Sequence, residues 1–337
     1  MRALVLTGHG SPEDVLEVQD RPAPVAGPAQ VRVAVRAAGL NWADLVARRG
    51  LYPDAPSPPA VLGYEVAGAV ESVGEGVIGL EAGRRVFAAT RFGGFAELAV
   101  ADAANVVPMP EGMSFEDAAA IPVNYVTAYA TAALLPHTRR GETVLVHAAA
   151  GGVGIATLQL LRDIGAVPIG TASGSKHDAI RAHGAAHAID YRTQDTRAEV
   201  VRITDGRGVD VVLDGLGEFR ESFALLAPGG RLVAHGASNL VGGGREGLRE
   251  RIRAKAVFPD LDALRLMNEN KAVIGFNMMR HWEARGSLVE LLQPLRDPLE
   301  RGVIQPVVAA TFPLEESAAA HELLETRGNV GKVVLVL

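Results

Sequence analysis

The sequence predicts an α/β protein in which a doubly wound parallel sheet is combined with a second, β-rich domain. In residues 143–265, short apolar segments alternate with helical stretches, a rhythm typical of a parallel sheet covered by helices on both faces. Before that region, Val31, Val33 and Val35 alternate with other residues in the period-two pattern of a half-buried strand. A chain of 337 residues is long enough for both domains.

Local signals place the individual elements. Glycines divide the valine-rich residues 63–83 and predict strands joined by tight turns. Ser114 with Asp117 predicts the start of a helix. Further on, the pattern predicts strands at 143–147, 167–171, 187–190, 209–214, 231–235, 272–276 and 331–337, and helices at 154–164, closed by Gly165, and 286–301. The resulting domain layout is 1–123 for the β-rich domain, 124–265 for the parallel sheet, and 266–337 for a segment that returns to the first domain.

Composition narrows the classes of function. The chain contains no cysteine, which excludes disulfides, thiolate metal ligands and thiol nucleophiles and favours a cytoplasmic location. A net charge of −6 makes nucleic acid an unlikely partner. No apolar run reaches the ~20 residues that a membrane span requires, and the N-terminal residues are typical of a strand rather than a signal peptide.

The most specific motif is a glycine-rich turn between a strand and a helix, with the sequence HAAAGGVG at residues 147–154. The first N–H groups of such a helix and its positive dipole end receive a pyrophosphate. Gly151 would let the backbone approach the phosphates, and Gly154 would let helix and strand pack closely. Ala149 replaces the first glycine of the motif, which the turn tolerates if φ stays negative there. The motif predicts a dinucleotide site, with a purely structural turn as the alternative; its residues are Ala150, Gly151, Gly152, Val153 and Gly154.

The end of the next strand indicates which dinucleotide binds. NAD sites usually carry Asp or Glu about 20 residues after the turn, where it accepts from the ribose hydroxyl. This chain has GTASGSK at residues 170–176, without a carboxylate. Ser173 and Lys176 would bind a 2′-phosphate through hydrogen bonds and charge, so we expect NADPH. The alternative is that Lys176 only caps or solvates the following helix.

These residues resemble the quinone oxidoreductase branch of the medium-chain dehydrogenase/reductase superfamily, nearly from end to end. The glycine turn, Gly63-Tyr64-Glu65, residues 119–127 and Asn329-Val330-Gly331-Lys332 carry the resemblance. Residues 265–277 are similar to the vesicle amine transport protein subgroup, whose members are also described as quinone reductases. The resemblance implies a GroES-like catalytic domain wrapped around a Rossmann domain, and a homodimer formed largely through the Rossmann domains.

The chain departs from the zinc-dependent members of that superfamily. Those proteins carry a cysteine near the position of Leu40, a histidine at the position of Tyr64, and a four-cysteine lobe that is absent here. Because zinc sites need such ligands, we expect no metal. Without a Lewis acid to ionise an alcohol, the remaining chemistry is hydride delivery to an acceptor that is already electrophilic, such as a quinone or an enone.

The resemblance also suggests roles for individual side chains. Asn41 faces the nicotinamide and the substrate, with an Asx turn as the alternative, while Asp44 braces the local turn. Tyr52 matches the tyrosine of the quinone pocket, where its phenol donates to a carbonyl oxygen or stacks on a ring. Tyr64 lies in or beneath the cleft, with simple packing as the alternative.

Further residues are expected at the cofactor. Thr127, in the segment that includes Asn124, contacts the nicotinamide ribose or amide, with a helix cap as the alternative. Asn329 lies near the nicotinamide, Tyr191 packs against the adenosine phosphate, and Arg327 binds the 2′-phosphate. Residues 238–262 are expected over the cleft. Outside the turn, the expected catalytic and cofactor-binding residues are Asn41, Tyr52, Tyr64, Thr127, Ser173, Lys176, Tyr191, Phe276, Arg327 and Asn329.

Three functions are compatible with the sequence. The first is an NADPH-dependent reductase of a quinone or an α,β-unsaturated carbonyl compound. The second is a dinucleotide-binding protein with a structural, vesicle-associated or regulatory role and little turnover. The third is an enoyl-thioester reductase, ranked below the first because no basic pocket for a phosphopantetheine arm is evident. The fold cannot decide among them, since function depends on the site.

Overall fold

The computed structural model describes residues 1–240 and 262–337, which form two compact units. The first unit contains Met1–Val126, Met279–Arg301 and Pro306–Leu337, and the second contains Thr127–Met278 and Gly302–Gln305. Of the segment expected over the cleft, 238–262, residues 241–261 lie outside the described part of the chain. The domain boundaries 1–123, 124–265 and 266–337 stay predictions.

Strands and helices alternate along the described residues and are numbered in chain order. The strands are β1 Arg2–Leu6, β2 Leu16–Asp20, β3 Gln30–Leu40, β4 Ala60–Val61, β5 Glu65–Val73, β6 Arg85–Ala89, β7 Leu98–Asp102, β8 Val106–Pro108, β9 Thr143–Val146, β10 Val167–Ala172, β11 His187–Asp190, β12 Val209–Asp214, β13 Leu226–Ala234, β14 Ala272–Gly275, β15 Val308–Pro313 and β16 Lys332–Val336. The helices are α1 Pro12–Val15, α2 Trp42–Arg48, α3 Phe115–Ala119, α4 Pro122–Ala128, α5 Gly152–Ile164, α6 His177–Ala182, α7 Thr196–Ile203, α8 Phe219–Ala224, α9 Ala263–Glu269, α10 Met278–Arg285, α11 Val289–Leu292, α12 Arg296–Glu300 and α13 Ser317–Glu325. A π-helical segment, Tyr129–Leu134, continues α4.

The first unit is built around the long strand β3. Val31, Val33 and Val35 are buried, as the period-two pattern predicts. The strand pairs antiparallel with β5, with β7 and with β16, in a sheet of order β15–β16–β3–β5–β6–β8. A smaller sheet has the order β2–β1–β4. Because β16 pairs with the end of β3, residues far apart in the sequence meet where β3 stops.

The second unit contains one parallel sheet of order β11–β10–β9–β12–β13–β14. The chain runs outward from β9 to β10 and β11, and then from β12 to β14 on the other side. This is a doubly wound sheet, so the predicted fold class is confirmed. In such sheets, ligands bind beyond the carboxyl ends of the strands where the winding reverses, which here is between β9 and β12.

Two helix-boundary signals are confirmed, and one predicted helix is shorter and less regular than expected. The Ser114 side chain accepts from the Asp117 N–H at the start of α3, and Gly165, at a φ of 81°, ends α5. The helix predicted over 286–301 begins only at Val289, because Gly286 has a φ of 77° and follows the end of α10. From there the chain stays helical to Glu300 as α11, a short 3₁₀ segment at Gln293–Leu295, and α12. A proline near the start of the 3₁₀ segment lacks the N–H that a regular α-helix needs.

Among the described residues, no helix combines the length and the apolar character needed to cross a lipid bilayer. The longest described helix, α5, has 13 residues, fewer than the ~20 that a span requires.

His321 on α13 makes the stability of the first unit dependent on pH. The side chain is fully buried, and neither ring nitrogen has a hydrogen-bond partner in the described part of the chain. Burial lowers the pKa of His321 to about 3, and the charge of Arg48 acts in the same direction. Below pH ~6.5 the unfolded chain binds a proton that the folded chain does not, so the free energy of unfolding falls as the pH falls from 6.5 towards 3.

We therefore expect His321→Leu to remove part of this pH dependence. Between pH 7 and pH 5, the wild type should lose about 2 kcal/mol more of its unfolding free energy than the variant does. Urea unfolding at both pH values measures the difference, with replacement of the exposed His187 by Leu as the control. Equal pH dependence in wild type and His321→Leu would show that this histidine is not the cause.

Candidate functional site

A buried ion pair lies where β3 ends in the first unit. Lys332 on β16 forms a salt bridge with Glu65 on β5, and both side chains are almost completely buried. The Lys332 ammonium also donates to Asn41 Oδ1 at 2.6 Å, and Asn41 Nδ2 donates to Glu65 Oε1 at 2.9 Å. The other Glu65 oxygen accepts from the Val123 N–H at 2.7 Å, in the first turn of α4. These contacts connect β3, β5, β16 and α4 through one polar cluster.

Gly39 is required for this cluster because the chain approaches it so closely. A Cβ at this position would lie 2.5 Å from Glu65 Oε1, 2.6 Å from Lys332 Cε and 2.7 Å from the Ala119 carbonyl oxygen. Real Cβ contacts do not reach such distances, so any larger residue would displace the ion pair or the backbone.

Asp44 braces the turn, as expected. Its carboxylate accepts from the Asn41 N–H at 2.8 Å and from the Gly63 N–H at 3.3 Å, and it lies at the third position of α2. Burial raises the pKa of Asp44 to about 7, although the two backbone donors and Lys332 oppose this shift. Asp44 therefore joins the backbone at Asn41 to the backbone at Gly63, the residue before Tyr64.

An aromatic cluster surrounds Tyr64. The ring centroids of Tyr64 and Tyr52 are 6.2 Å apart in an edge-to-face arrangement, and Phe92 lies 5.2 Å from Tyr64 on another side. The Tyr64 hydroxyl is buried and has no hydrogen-bond partner among the described residues. Burial raises the pKa of Tyr64 above its ordinary value, and burial followed by the Asp54 charge raises the pKa of Tyr52 to about 12. Both phenols therefore stay protonated and can act as hydrogen-bond donors.

Thr127 and Asn329, expected at the nicotinamide, are buried, as is the neighbouring Asn124, whereas Arg327, expected at the 2′-phosphate, is half-buried. Asn124 donates to the Ala120 carbonyl at 3.0 Å, and Thr127 lies on the same helix, α4. Asn329 donates to the Gly331 carbonyl at 2.7 Å. The Arg327 guanidinium lies 5.9 Å from the centre of the Trp42 ring.

The glycine turn of the second unit joins β9 to α5. Helix α5 begins at Gly152, two residues earlier than predicted, with Gly151 as its N-cap. A Cβ on Gly154 would lie 2.5 Å from the Ala148 carbonyl oxygen, so the close packing expected at Gly154 is confirmed. Ala148, rather than Ala149, takes the left-handed conformation, at a φ of 51°. The cradle fits a pyrophosphate because the first N–H groups of a 13-residue helix face a turn without bulky side chains.

A buried polar chain supports this turn. The Ser222 hydroxyl donates to Asp214 Oδ2 at 2.8 Å, so its oxygen accepts from His147 Nε2 at 3.2 Å. That assignment leaves His147 Nδ1 to accept from the Thr171 hydroxyl at 3.3 Å. Burial lowers the pKa of His147, which keeps the imidazole neutral. His147, the residue before the left-handed Ala148, is thus held by Thr171 of β10 and by Ser222 of α8. Ser222 is in turn bonded to Asp214 of β12.

The region expected to bind a 2′-phosphate also contains a carboxylate that sequence analysis missed. Ser173 precedes a short 3₁₀ turn after β10, Gly174–Lys176, in which the Lys176 N–H donates to the Ser173 carbonyl. Asp190, at the end of β11, lies so close that its Oδ2 would be 3.0 Å from a Cβ on Gly174. The Arg192 N–H above all holds the pKa of Asp190 below its usual value, and Thr193 and the Gly174 N–H add to this. No local sequence signal was available, because Asp190 reaches Gly174 only through the pairing of β10 with β11.

Two expected cofactor residues lie at opposite edges of the second unit's sheet. Tyr191 follows the edge strand β11 and is 44% exposed. Phe276 follows the other edge strand, β14, and its N–H donates to the Ala234 carbonyl at 2.9 Å. The sheet therefore does not bring these two residues together.

Comparisons with known proteins agree with this architecture. Residues 27–111 match the alcohol dehydrogenase GroES-like domain, and residues 183–335 match a family described as zinc-binding dehydrogenase. The synaptic vesicle membrane protein VAT-1 homolog of Rattus norvegicus is 41% identical over 342 residues, covering 100% of this chain and 84% of that protein. This chain belongs to the medium-chain dehydrogenase/reductase superfamily.

Solved structures of this superfamily are similar over the whole chain. The Escherichia coli quinone oxidoreductase complexed with NADPH has a TM-score of 0.86 at 30% identity and is covered completely, as is this chain. The CurK enoyl reductase has a TM-score of 0.85 at 28% identity, with 99% of each chain covered. The GroES-like and Rossmann-like parts expected from the resemblance are therefore confirmed.

This member of the superfamily differs from the zinc-binding description of one matching family. Leu40 and Tyr64 occupy the positions that the resemblance assigns to zinc ligands, and the chain has no cysteine. Within residues 1–240 and 262–337, no three His, Asp or Glu side chains are grouped so that they could hold a metal ion.

We expect Gly154→Ala to destabilise the second unit. Its new Cβ would lie within 2.6 Å of two backbone carbonyl groups that cannot move independently of the turn. Overpacking of this kind costs about 1–3 kcal/mol, whereas Gly151→Ala, whose nearest contact is 3.4 Å, should cost under about 1 kcal/mol. Urea unfolding of both variants measures the difference, and equal losses would contradict the packing role of Gly154.

Proposed function

We propose that the protein is an NADPH-dependent reductase that transfers hydride to a quinone or an α,β-unsaturated carbonyl compound. The observation that carries this proposal is the Tyr64 hydroxyl, a buried donor without a partner in the described residues, placed among aromatic rings. Leaving such a group unpaired is costly, so a ligand oxygen that accepts from it gains the missing hydrogen bond. An aromatic setting with one donor suits the flat, carbonyl-bearing ring of a quinone.

The residues of each unit have distinct tasks in this proposal. The turn Ala150–Gly154 and the N-terminus of α5 bind the pyrophosphate, and Ser173 and Lys176 bind the 2′-phosphate. Bound NADPH supplies the hydride. Tyr64 donates a hydrogen bond to the acceptor oxygen, on which negative charge develops, and Tyr52 packs beside it. Because burial raises the pKa of both tyrosines, both stay protonated, and Tyr64 keeps the hydrogen that it donates.

Similar proteins support this assignment. The Escherichia coli quinone oxidoreductase was solved with NADPH, and it is similar to this chain over its full length. We further propose that Asn41, Thr127 and Asn329 bind the nicotinamide end, that Tyr191, Phe276 and Arg327 complete the cofactor site, and that the protein acts as a cytoplasmic homodimer.

The CurK structure favours enoyl-thioester reduction as a second candidate. The VAT-1 homologues carry the name of a synaptic vesicle membrane protein, which keeps a non-catalytic binding role as the alternative.

We expect the purified protein to oxidise NADPH in the presence of quinones and enones. A panel of quinones, enones and enoyl thioesters, followed by absorbance at the reduced-nicotinamide band, distinguishes the candidates. Tyr64→Phe should lower kcat/KM for the best acceptor about 10- to 100-fold, since it removes one donor to the developing oxyanion while the ring is kept. Tight NADPH binding without turnover on any acceptor would instead support the non-catalytic role.

We expect Lys176→Ala to weaken NADPH binding about tenfold or more while NADH binding changes less than about twofold. The reason is that only NADPH carries the 2′-phosphate, which needs the Lys176 ammonium all the more because the Asp190 carboxylate lies beside Gly174. Lys176→Arg, which keeps the positive charge, is the matched control, and calorimetric titration gives the affinities. Equal losses for both coenzymes would contradict this location of the 2′-phosphate.

A further inference from the structure

The hydrogen bonds around Asn41 fix the orientation of its amide. Lys332 carries only donors and Glu65, when ionised, only acceptors, so Asn41 Oδ1 must face Lys332 and Nδ2 must face Glu65. The second Nδ2 hydrogen is used by the Gly39 carbonyl at 3.2 Å. Both donors of the amide are therefore occupied inside the protein. Any hydrogen bond from the Asn41 side chain to a ligand must be accepted by Oδ1.

The surroundings keep the amide in this orientation. Asn41 is 8% exposed, Lys332 3% and Glu65 0%, so water cannot easily replace either charged partner. A flipped amide would place its NH₂ group against the Lys332 ammonium and its oxygen against the Glu65 carboxylate, two repulsive contacts at low dielectric. The same Glu65 holds the first turn of α4 through Val123.

We propose that Lys332 and Glu65 are positioning residues, which orient Asn41 as a hydrogen-bond acceptor for the nicotinamide end of the cofactor. This inference rests on the proposed function. The ligand group that Asn41 recognises is an N–H or O–H donor, either the carboxamide or a hydroxyl of the adjacent ribose. Asn41 therefore does not stabilise the oxyanion of the acceptor, and that task falls to the tyrosine hydroxyl at position 64.

An exchange of functional groups tests the orientation. Asn41→Asp keeps the oxygen that faces Lys332 but puts a second oxygen against Glu65 and the Gly39 carbonyl, so NADPH affinity should fall about tenfold or more. Adding Glu65→Gln restores part of the complementary set. The new amide NH₂ donates to the new carboxylate, the new amide oxygen accepts from the Val123 N–H, and the new carboxylate becomes the negative partner of Lys332. Two mismatches remain, because Glu65 Oε1 also pairs with Lys332 and the Gly39 carbonyl still faces the second carboxylate oxygen. The double variant should therefore bind NADPH more tightly than Asn41→Asp but less tightly than the wild type, although Glu65→Gln alone should not improve the affinity.

The control is a second ion pair in the other unit, between Arg231 and Glu142, whose atoms approach to 2.8 Å. Glu142→Gln should change thermal stability without changing NADPH affinity. If Asn41→Asp fails to fold and the double variant folds and binds, the exchange is supported. Independent, additive losses in the two single variants and the double variant would overturn it, and so would a double variant that fails to fold.

Two NADPH analogues identify the donor. One carries an acetyl group in place of the carboxamide and has no N–H donor there, and the other lacks the 2′-hydroxyl of the nicotinamide ribose. The wild type should lose affinity, about tenfold, for one of them, and Asn41→Leu should bind that analogue and NADPH equally. If Asn41→Leu discriminates as the wild type does, the acceptor role is wrong. If the wild type binds NADPH but the variants show no coupling among these residues, only this inference is overturned. If the wild type binds neither NADPH nor NADH, the proposed function itself is overturned.

Discussion

The salt bridge between Glu65 and Lys332 is the contact on which the arrangement of the first unit's site depends. Two opposite charges lie in a region from which solvent is nearly excluded, so each is stable only because the other is present. Removing one partner of such a pair costs about 3–5 kcal/mol, since the remaining charge is left unpaired in the interior. The pair also has more than a stabilising role: it determines which atoms of Asn41 face which neighbours, and it holds the first turn of α4. A hydrophobic replacement could preserve stability, but it could not orient an amide.

The second unit has a neutral imidazole next to its glycine turn and a buried carboxylate behind it. His147 stays neutral, and Ser222 transmits its hydrogen bond to Asp214, whose other oxygen accepts from the backbone N–H groups of Leu216 and Gly217. The result is a fixed polar layer at the reversal point of the sheet, directly before the turn that we assign to the pyrophosphate. Ser222 and His147 separate the Asp214 carboxylate from the turn, which suits an anion site because a negative charge facing the phosphates would oppose binding.

Sequence patterns were sufficient for the fold but only partly for the site. Alternation in Val31–Val35, the order of strands and helices, and the glycine turn depend on local residues, and the structure agrees with each. Glu65 and Lys332 lie in segments that resemble the family, but the residues around each of them do not indicate that the two side chains form an ion pair. Their contact depends on the pairing of β16 with β3. Asp190 was missed for the same reason, since only the pairing of β10 with β11 brings it to Gly174. The helix predicted over 286–301 was right in type but wrong at its start, because the apolar period was given more weight than the left-handed Gly286.

The distance in sequence between Asn41 and Lys332, 291 residues, has a consequence for biosynthesis. A ribosome makes β3 long before the strand that completes its neighbour set and supplies the ammonium group. Until then Glu65 has no cationic partner, and the edge of β3 next to it is unpaired, which leaves a nascent chain open to wrong pairing and to chaperones. Assembly of the amide-orienting cluster is therefore a long-range event, and the chain gains this geometry only after Lys332 has been translated.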